Sequence, residues 1–248
     1  MPEDTKFPTE VVDLPSQGQV YPEDSPLSSG KIELKYMTAK EEDILTSQNL
    51  IQKGIVIEQL INSLIVDKTV KSQDLILGDK NAVMVAARVL AYGADYQAEA
   101  TNPDSGEKEL VTFDLTSCKF KELPDDVDYS SGEFSFQLPT SETNITFRLV
   151  TGKEENLIDK DIAAMKKMGT SAEVTTRFRH VITSVEGNNE PAQITSFVNN
   201  MLSKDSLELR REIARVSPDI EMTQEVEIGG DTVEVEIPLT VEFFWPTV

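Results

Sequence analysis

Cysteine and histidine are almost absent from this 248-residue sequence, which contains one of each, Cys118 and His180. A single cysteine cannot form an internal disulfide, and one Cys with one His cannot complete a closed tetrahedral metal site. We therefore expect neither a disulfide framework nor a stoichiometric transition metal. Such a composition suits the reducing cytoplasm.

Catalytic motifs are also lacking. The sequence contains none of the patterns GxxxxGK[ST], GxGxxG, GxSxG or HExxH, which cradle phosphates, present a nucleophile or bind catalytic zinc. His180 follows Arg177 and Arg179 in TTRFRHVITS, but no serine or cysteine motif accompanies it, and we interpret it as structural or surface-exposed. We predict that the protein is not an enzyme and binds no cofactor. A carboxylate-based glycosidase is the enzyme alternative, because an acidic chain can place two carboxylates together anywhere.

Basic residues are scarce relative to acidic ones. The chain has 23 Lys and Arg against 44 Asp and Glu, a net charge of −21. This charge repels phosphate backbones and anionic lipids, so we expect no nucleic acid and no membrane insertion, and basic protein surfaces are better partners. Hydrophobic runs fall far short of the ~20 residues that span a bilayer. The N-terminal MPEDTKFPTEVVD lacks the basic and apolar regions of a secretory signal.

The first 30 residues are irregular and rich in proline, glycine and serine. Such a segment cannot form a core of its own, but its scattered apolar side chains can lie across another surface. We predict an extended arm that is mobile in the free protein and ordered only on a partner or on the chain's own sheet. Its candidate interaction residues are Leu14, Pro15, Gly18, Val20, Tyr21, Pro22 and Leu27.

The clearest signals of regular structure follow the arm. KIELKYM at residues 31–37 alternates as a strand does, and Thr38 with Glu41 has capping-box spacing for a helix that Gly54 ends or bends. The run GDKN at residues 78–81 predicts a helix over residues 80–92 that Asp79 caps, with a glycine at position 93 as its end.

Hairpins and helices account for the remaining sequence. Residues 95–115, 133–150 and 221–241 each place alternating residues on both sides of a turn, which predicts β-hairpins. Short helices are predicted at residues 157–169, 171–184, 191–202 and 203–216. We expect an arm at 1–30, a strand, helices and first hairpin at 31–122, a linker at 123–132, and a hairpin, helical insertion and C-terminal hairpin at 133–248.

The sequence closes with an aromatic cluster, Phe243, Phe244 and Trp245, before Pro246. If these residues form a last strand, Phe243 and Trp245 face the core and Phe244 faces the opposite side. A buried cluster stabilises the fold, whereas exposed Phe and Trp are enriched in interfaces. We predict both roles, with Phe244 and Trp245 as candidate interaction residues and with Phe244→Ala leaving folding nearly intact while Trp245→Ala destabilises it.

Together these patterns predict an α+β fold. We expect one small antiparallel sheet built from hairpins of both halves of the chain, with the helices packed to one side and the arm extended from it.

Three stretches, in this order, resemble a known family: residues 14–47, GDKNAVMVAARVLAYGADY at residues 78–96 and IPLTVEFFWP at residues 237–246. They resemble the baseplate hub assembly proteins of T4-like contractile-tailed phages. The resemblance implies that the helix after Gly78 is a central core element. It also implies a non-enzymatic tail protein that forms part of, or assists assembly of, the baseplate hub by binding other tail proteins. The alternative is a transient assembly chaperone that is absent from the mature virion.

The resemblance also leads us to expect paired cysteines, as zinc knuckles, at hairpin turns of some relatives. This sequence has Thr101, Asp104, Gly229 and Gly230 at such positions, and these residues cannot supply thiolates. For this chain the resemblance implies location in the virion tail baseplate after assembly in the host cytoplasm, and no small-molecule substrate.

Overall fold

The computed structural model describes residues 7–102 and 104–245. The strands are β1 Thr9–Asp13, β2 Lys31–Lys35, β3 Asp95–Thr101, β4 Lys108–Asp114, β5 Phe134–Gln137, β6 Asn144–Phe147, β7 Ile182–Val185, β8 Thr223–Ile228 and β9 Asp231–Glu236. The helices are α1 Ala39–Leu45, α2 Gln48–Gln52, α3 Val56–Leu64, α4 Leu77–Tyr92, α5 Gly152–Lys167, α6 Glu173–Val181, α7 Pro191–Asn199 and α8 Ser203–Val216. The α+β class is confirmed. Among the described residues, none of the helices combines the length and the hydrophobicity that a membrane-spanning segment needs.

The strands of the described residues form four separate antiparallel sheets, which corrects the expectation of one sheet. These pair β1 with β2, β3 with β4, β5 with β6 and β7, and β8 with β9. The β3–β4 and β8–β9 hairpins come from different halves of the chain and lie side by side. Here the Gln224 side chain accepts from the Asp114 N–H at 3.2 Å and donates to the Asp114 carbonyl at 2.8 Å. A side chain therefore makes the link that we expected strand pairing to make.

All three predicted hairpins are present. The tips of the β3–β4 and β8–β9 hairpins touch, because Asn102 Nδ2 donates to the Ile228 carbonyl at 3.3 Å and to Asp231 Oδ2 at 3.2 Å. The two turns at which the resemblance suggested cysteines in relatives are thus joined by amide hydrogen bonds. Buried Asn102 also accepts from the backbone N–H of Asp104 at 2.9 Å, so it shapes its own turn as well.

The first helix begins as its capping box predicts. Glu41 Oε2 accepts from the Thr38 backbone N–H at 2.9 Å, and the carboxylate also binds Lys35 Nζ at 2.6 Å and Ser63 Oγ at 2.7 Å. The Glu41 side chain is fully buried. Burial raises its pKa, but the hydrogen bonds from Lys35, Thr38 and Ser63 outweigh that effect and lower the pKa from 4.5 to about 2. This one carboxylate therefore ties β2, α1 and α3 together.

Helix α4 lies at the centre of the first half and buries most of its circumference, including Val83, Met84 and Ala87. It ends at Gly93, as predicted. It begins at Leu77, earlier than predicted, and Asp79 is in its first turn rather than at its cap. The Asp79 carboxylate points instead at the N-terminal segment, where it has buried partners.

The segment predicted as helix over residues 171–184 divides into α6 and a strand, β7. Strand β7 pairs with β6 in the register Ile145↔Val185 and Phe147↔Ile182. The β-branched run at residues 181–183 favours a strand when a neighbouring strand edge is available, and only the fold supplies that edge.

Buried side chains form two hydrophobic clusters. The first combines residues from 14–115 with residues from 220–244, and the second contains residues from 129–216. The C-terminal hairpin thus packs with the first half of the chain, and helices α6 to α8 pack on the β5–β6–β7 sheet. The domain boundaries stay predictions.

Candidate interaction surfaces

The N-terminal segment is a closed loop that lies on the chain itself. Residues 14–30, the arm loop, connect β1 to β2, and the Leu14 N–H donates to the Gly30 carbonyl at 2.8 Å where the loop closes. Gly18, at φ +81°, passes so near Ser28 that a Cβ there would lie 2.2 Å from the Ser28 carbonyl oxygen. The arm loop is therefore compact rather than extended, which corrects the expectation from its composition.

One buried carboxylate holds the arm loop to α4. Asp79 accepts hydrogen bonds from the Ser16 N–H at 2.9 Å, the Ser16 hydroxyl at 2.7 Å and the Tyr21 hydroxyl at 2.7 Å. The Tyr21 oxygen in turn accepts from the Ile76 N–H at 3.0 Å. Ser16 and Asp79 are both fully buried. We call the contacts of Asp79 with Ser16 and Tyr21 the latch. Among the described residues no cation contacts this carboxylate, and its hydrogen bonds come from these three donors.

The electrostatics of the latch follow from its burial. Desolvation raises the pKa of Asp79, and the hydrogen bonds from Ser16 and Tyr21 act in the opposite direction. Burial, followed by the nearby Asp79 carboxylate, raises the pKa of Tyr21 well above its usual range. The tyrosine thus stays a donor, as the contact with Asp79 requires.

The predicted arm residues divide between the interior and the surface. Four of the seven candidates, Leu14, Pro15, Gly18 and Leu27, are buried within the chain. Half-buried Val20 packs against the second hydrophobic cluster and half-buried Tyr21 against the first, so the arm loop lies across the junction of the two clusters. Pro22 is exposed. A role of Val20, Tyr21 and Pro22 in binding a partner stays a prediction.

The closing aromatic residues do not form a strand. Residues Glu242–Phe244 form a 3₁₀ turn, which buries both Phe243 and Phe244 completely and leaves Trp245 38% exposed. The expected orientations of Phe244 and Trp245 are therefore wrong, because a helical turn does not alternate its side chains between two faces as a strand does. Trp245 remains available as an interaction residue; Phe244 does not. Pro246 lies outside the described residues.

Sequence reasoning missed Arg88, which fixes this aromatic turn. Its Nε donates to the Phe243 carbonyl at 3.1 Å, and its carbon Cζ lies 5.0 Å from the Tyr92 ring centre and 5.9 Å from that of Tyr96. Burial lowers the pKa of Arg88. The signal in the sequence that could have revealed it is a lone charged residue, Arg88, within the apolar run AVMVAARVLAY at residues 82–92.

Side chains with chemically reactive or ionisable groups have ordinary structural partners here. His180 Nε2 lies 2.9 Å from Asp161 Oδ2 at the surface, and half-buried Cys118 accepts from Gln224 Nε2 at 3.3 Å. Glu41 is occupied by Lys35, Thr38 and Ser63, as described above. Within residues 7–102 and 104–245, no three or more His, Cys, Asp or Glu side chains are grouped so as to hold a metal ion.

A groove of about 660 Å³ opens between the start of α4 and the second hydrophobic cluster, which supplies Phe178, Val181 and Ile213 to its lining. We call it the junction groove. It is bordered by the first turn of α4 and by helices α5, α6 and α8. Its lining residues include Ile76, Leu77, Gly78, Lys121, Leu149, Val150, Ile162, Glu173, Val174, Arg177, Phe178, Val181, Arg210, Ile213, Ala214, Pro218 and Asp219. The lining of the junction groove is mainly apolar.

Comparison with protein families gives one match over nearly the whole chain. The family described as "T4 bacteriophage base plate protein" matches residues 8–245. No curated protein and no solved structure shows a significant match. The matched span runs from the residue before β1 to Trp245, so it includes the arm loop, both clusters and the junction groove.

Proposed function

Because the chain belongs to the T4 bacteriophage base plate protein family, we propose that it is a non-enzymatic tail protein that forms part of the baseplate hub by binding other tail proteins. The observation that carries this proposal is the extent of the family match, from residue 8 to residue 245. Location in the virion tail, after assembly in the host cytoplasm, is part of the proposal.

The surface supports a protein with several partners. The helical region between the β5–β6 and β8–β9 hairpins exposes several large apolar side chains. They are Leu157, Met168, Val174, Leu202 and Leu207, with exposed fractions from 40% to 80%. Of these residues Val174 also lines the junction groove, and exposed apolar side chains beside a groove are typical of protein-binding surfaces. Because the net charge is −21, most of the surface of this chain favours partners with basic contact surfaces.

Quantitative mass spectrometry of purified virions and of isolated baseplates tests the proposal. A structural hub subunit remains in both preparations at a fixed copy number relative to other baseplate proteins. An assembly chaperone would occur in assembly intermediates and be absent from virions. Absence from virions would therefore refute the structural role and support the chaperone alternative.

A further inference from the structure

The junction groove has a preformed, rigid floor. At Gly78, helix α4 packs closely on the segment that follows α8. A Cβ at this position would lie 1.9 Å from the Pro218 carbonyl oxygen. Asn81 Nδ2, one turn further along, donates to Asp219 Oδ1 at 3.1 Å. The buried side chains of Phe178 and Val181 complete the floor. The start of α4 and residues 218–219 are thus closely packed at this border of the groove, which gives a partner a preformed surface on which to dock.

The charged groups around the groove differ in whether they already have partners. Arg177 forms a bidentate salt bridge with Glu155, with both nitrogen–oxygen distances at 2.8 Å. Lys121 donates to the carbonyls of Arg215 and Ser217 at 3.2 Å, where it caps the end of α8. Both cations are therefore committed to contacts within the chain.

The two acidic residues of the lining are also committed. Glu173 pairs with Lys166 at 2.9 Å, and Asp219 accepts from Asn81 and from the Ile220 N–H. Arg210 is different: its Nε donates to the Ser206 carbonyl at 3.3 Å, and no carboxylate among the described residues pairs with it. Arg210 thus lines the groove with no anionic partner among the described residues.

Arg210 makes the groove locally cationic on a chain of net charge −21. A guanidinium with both terminal nitrogens free is suited to a carboxylate, which it binds through two parallel hydrogen bonds. Because the floor of the groove is apolar, a bound partner needs apolar side chains next to that carboxylate. The exposed side chain of Val174, at the α6 border, extends the apolar surface outwards.

We propose that the junction groove binds an acidic amphipathic segment of another tail protein, whose apolar side chains fill the floor and whose carboxylate pairs with Arg210. This inference rests on the proposed function and names the chemistry of one partner. Non-specific attraction to this acidic chain would favour basic segments. Preferential binding of an acidic segment would therefore indicate a specific contact with the groove.

Two fluorescently labelled peptides of about 14 residues provide the probe. One has leucines at helical spacing with glutamates between them, and the other has lysines in place of the glutamates. We expect fluorescence anisotropy to show that the glutamate peptide binds more tightly. Arg210→Glu should weaken its binding roughly 10-fold or more, since an attraction becomes a repulsion. Arg211→Glu, the same change at the next position of α8 but outside the groove, should leave binding within about two-fold.

A second variant tests the location without changing charge. Ala214 is an exposed residue of α8 that lines the groove, and Ala214→Trp would fill the groove while the helix is retained. Binding of the glutamate peptide should then be lost, with an unchanged circular dichroism spectrum. Tighter binding of the lysine peptide, equal effects of the two arginine variants, or full binding to Ala214→Trp would each overturn the proposal.

The outcomes separate this inference from the proposed function. If virions contain the protein at fixed copy number but the glutamate peptide does not bind, the groove assignment fails and the structural role stands. If the peptide binds as expected but virions lack the protein, the groove assignment stands and the structural role fails.

Discussion

Removal of the Tyr21 hydroxyl should release the arm loop without unfolding the protein. In Tyr21→Phe, Asp79 loses one of its three donors, and the Ile76 N–H loses its acceptor. The ring remains and keeps its apolar contacts with the first hydrophobic cluster. The substitution therefore removes the latch contact with little loss of packing.

The magnitude follows from the kind of bond that is lost. A hydrogen bond to a charged group contributes about 1.5–3 kcal/mol, and a buried N–H left without an acceptor adds a penalty of similar size unless water reaches it. Since half-buried Tyr21 lies near the surface, water can reach part of this site. We therefore expect the free energy of local opening of the arm loop to fall by about 1.5–3 kcal/mol, which raises the open population roughly 10- to 100-fold.

Hydrogen exchange measured by mass spectrometry on peptides from residues 14–30 tests this expectation. The matched control is Tyr36→Phe, because the Tyr36 hydroxyl has no hydrogen-bond partner among the described residues. Faster exchange should be confined to the arm loop of Tyr21→Phe, with protection of α4 retained. Equal protection of the arm loop in Tyr21→Phe, Tyr36→Phe and the unmodified protein would refute the latch.

Two other predictions concern stability. Glu41→Gln should destabilise the protein by roughly 3 kcal/mol at pH 7, since the pKa shift from 4.5 to about 2 has this free-energy equivalent. Because the folded-state pKa lies below the unfolded value, the contribution is present above about pH 4.5 and is lost as the pH falls through about 2. Urea unfolding should therefore show that the difference in unfolding free energy between Glu41→Gln and the unmodified protein becomes smaller on acidification. A difference that does not change with pH would contradict this explanation. Phe244→Ala should lower stability by about 3–5 kcal/mol, because the ring is fully buried, whereas Trp245→Ala should lower it by less than about 2 kcal/mol. Thermal melts followed by circular dichroism rank the two variants, and the reverse order would refute the buried 3₁₀ turn.

Local sequence signals predicted the fold where short-range chemistry decides it. Thr38 and Glu41 form their capping box, Pro191 starts α7 and Gly93 ends α4. The hairpins also formed where alternating residues flank a turn. The caps involve residues within a few positions of one another, and each hairpin joins neighbouring segments through one turn, so the sequence pattern contains the cause.

The predictions that were wrong concern residues whose conformation depends on partners far away in the sequence. Asp79 has the sequence context of a helix cap, but its carboxylate is taken by Ser16 and Tyr21, about 60 positions earlier. Phe244 follows a strand-like alternation, yet a 3₁₀ turn fixed by Arg88 buries it. The composition of the arm indicated an extended segment, whereas its compact packing depends on a surface formed by α4. Its mobility in the free protein stays a prediction. None of these contacts has a local signature, because long-range packing overrides propensity.

The motif at residues 78–81 explains how the arm loop and the junction groove are related. Gly78 allows the close approach of residue 218, Asp79 holds the arm loop, and Asn81 holds Asp219. Ile76, immediately before α4, lines the groove and also donates to the Tyr21 hydroxyl. A partner seated in the groove would therefore contact the same turn of helix that fixes the arm loop. Any displacement of that turn on binding would be transmitted to the latch, since the two sites share backbone rather than a chain of intermediate side chains.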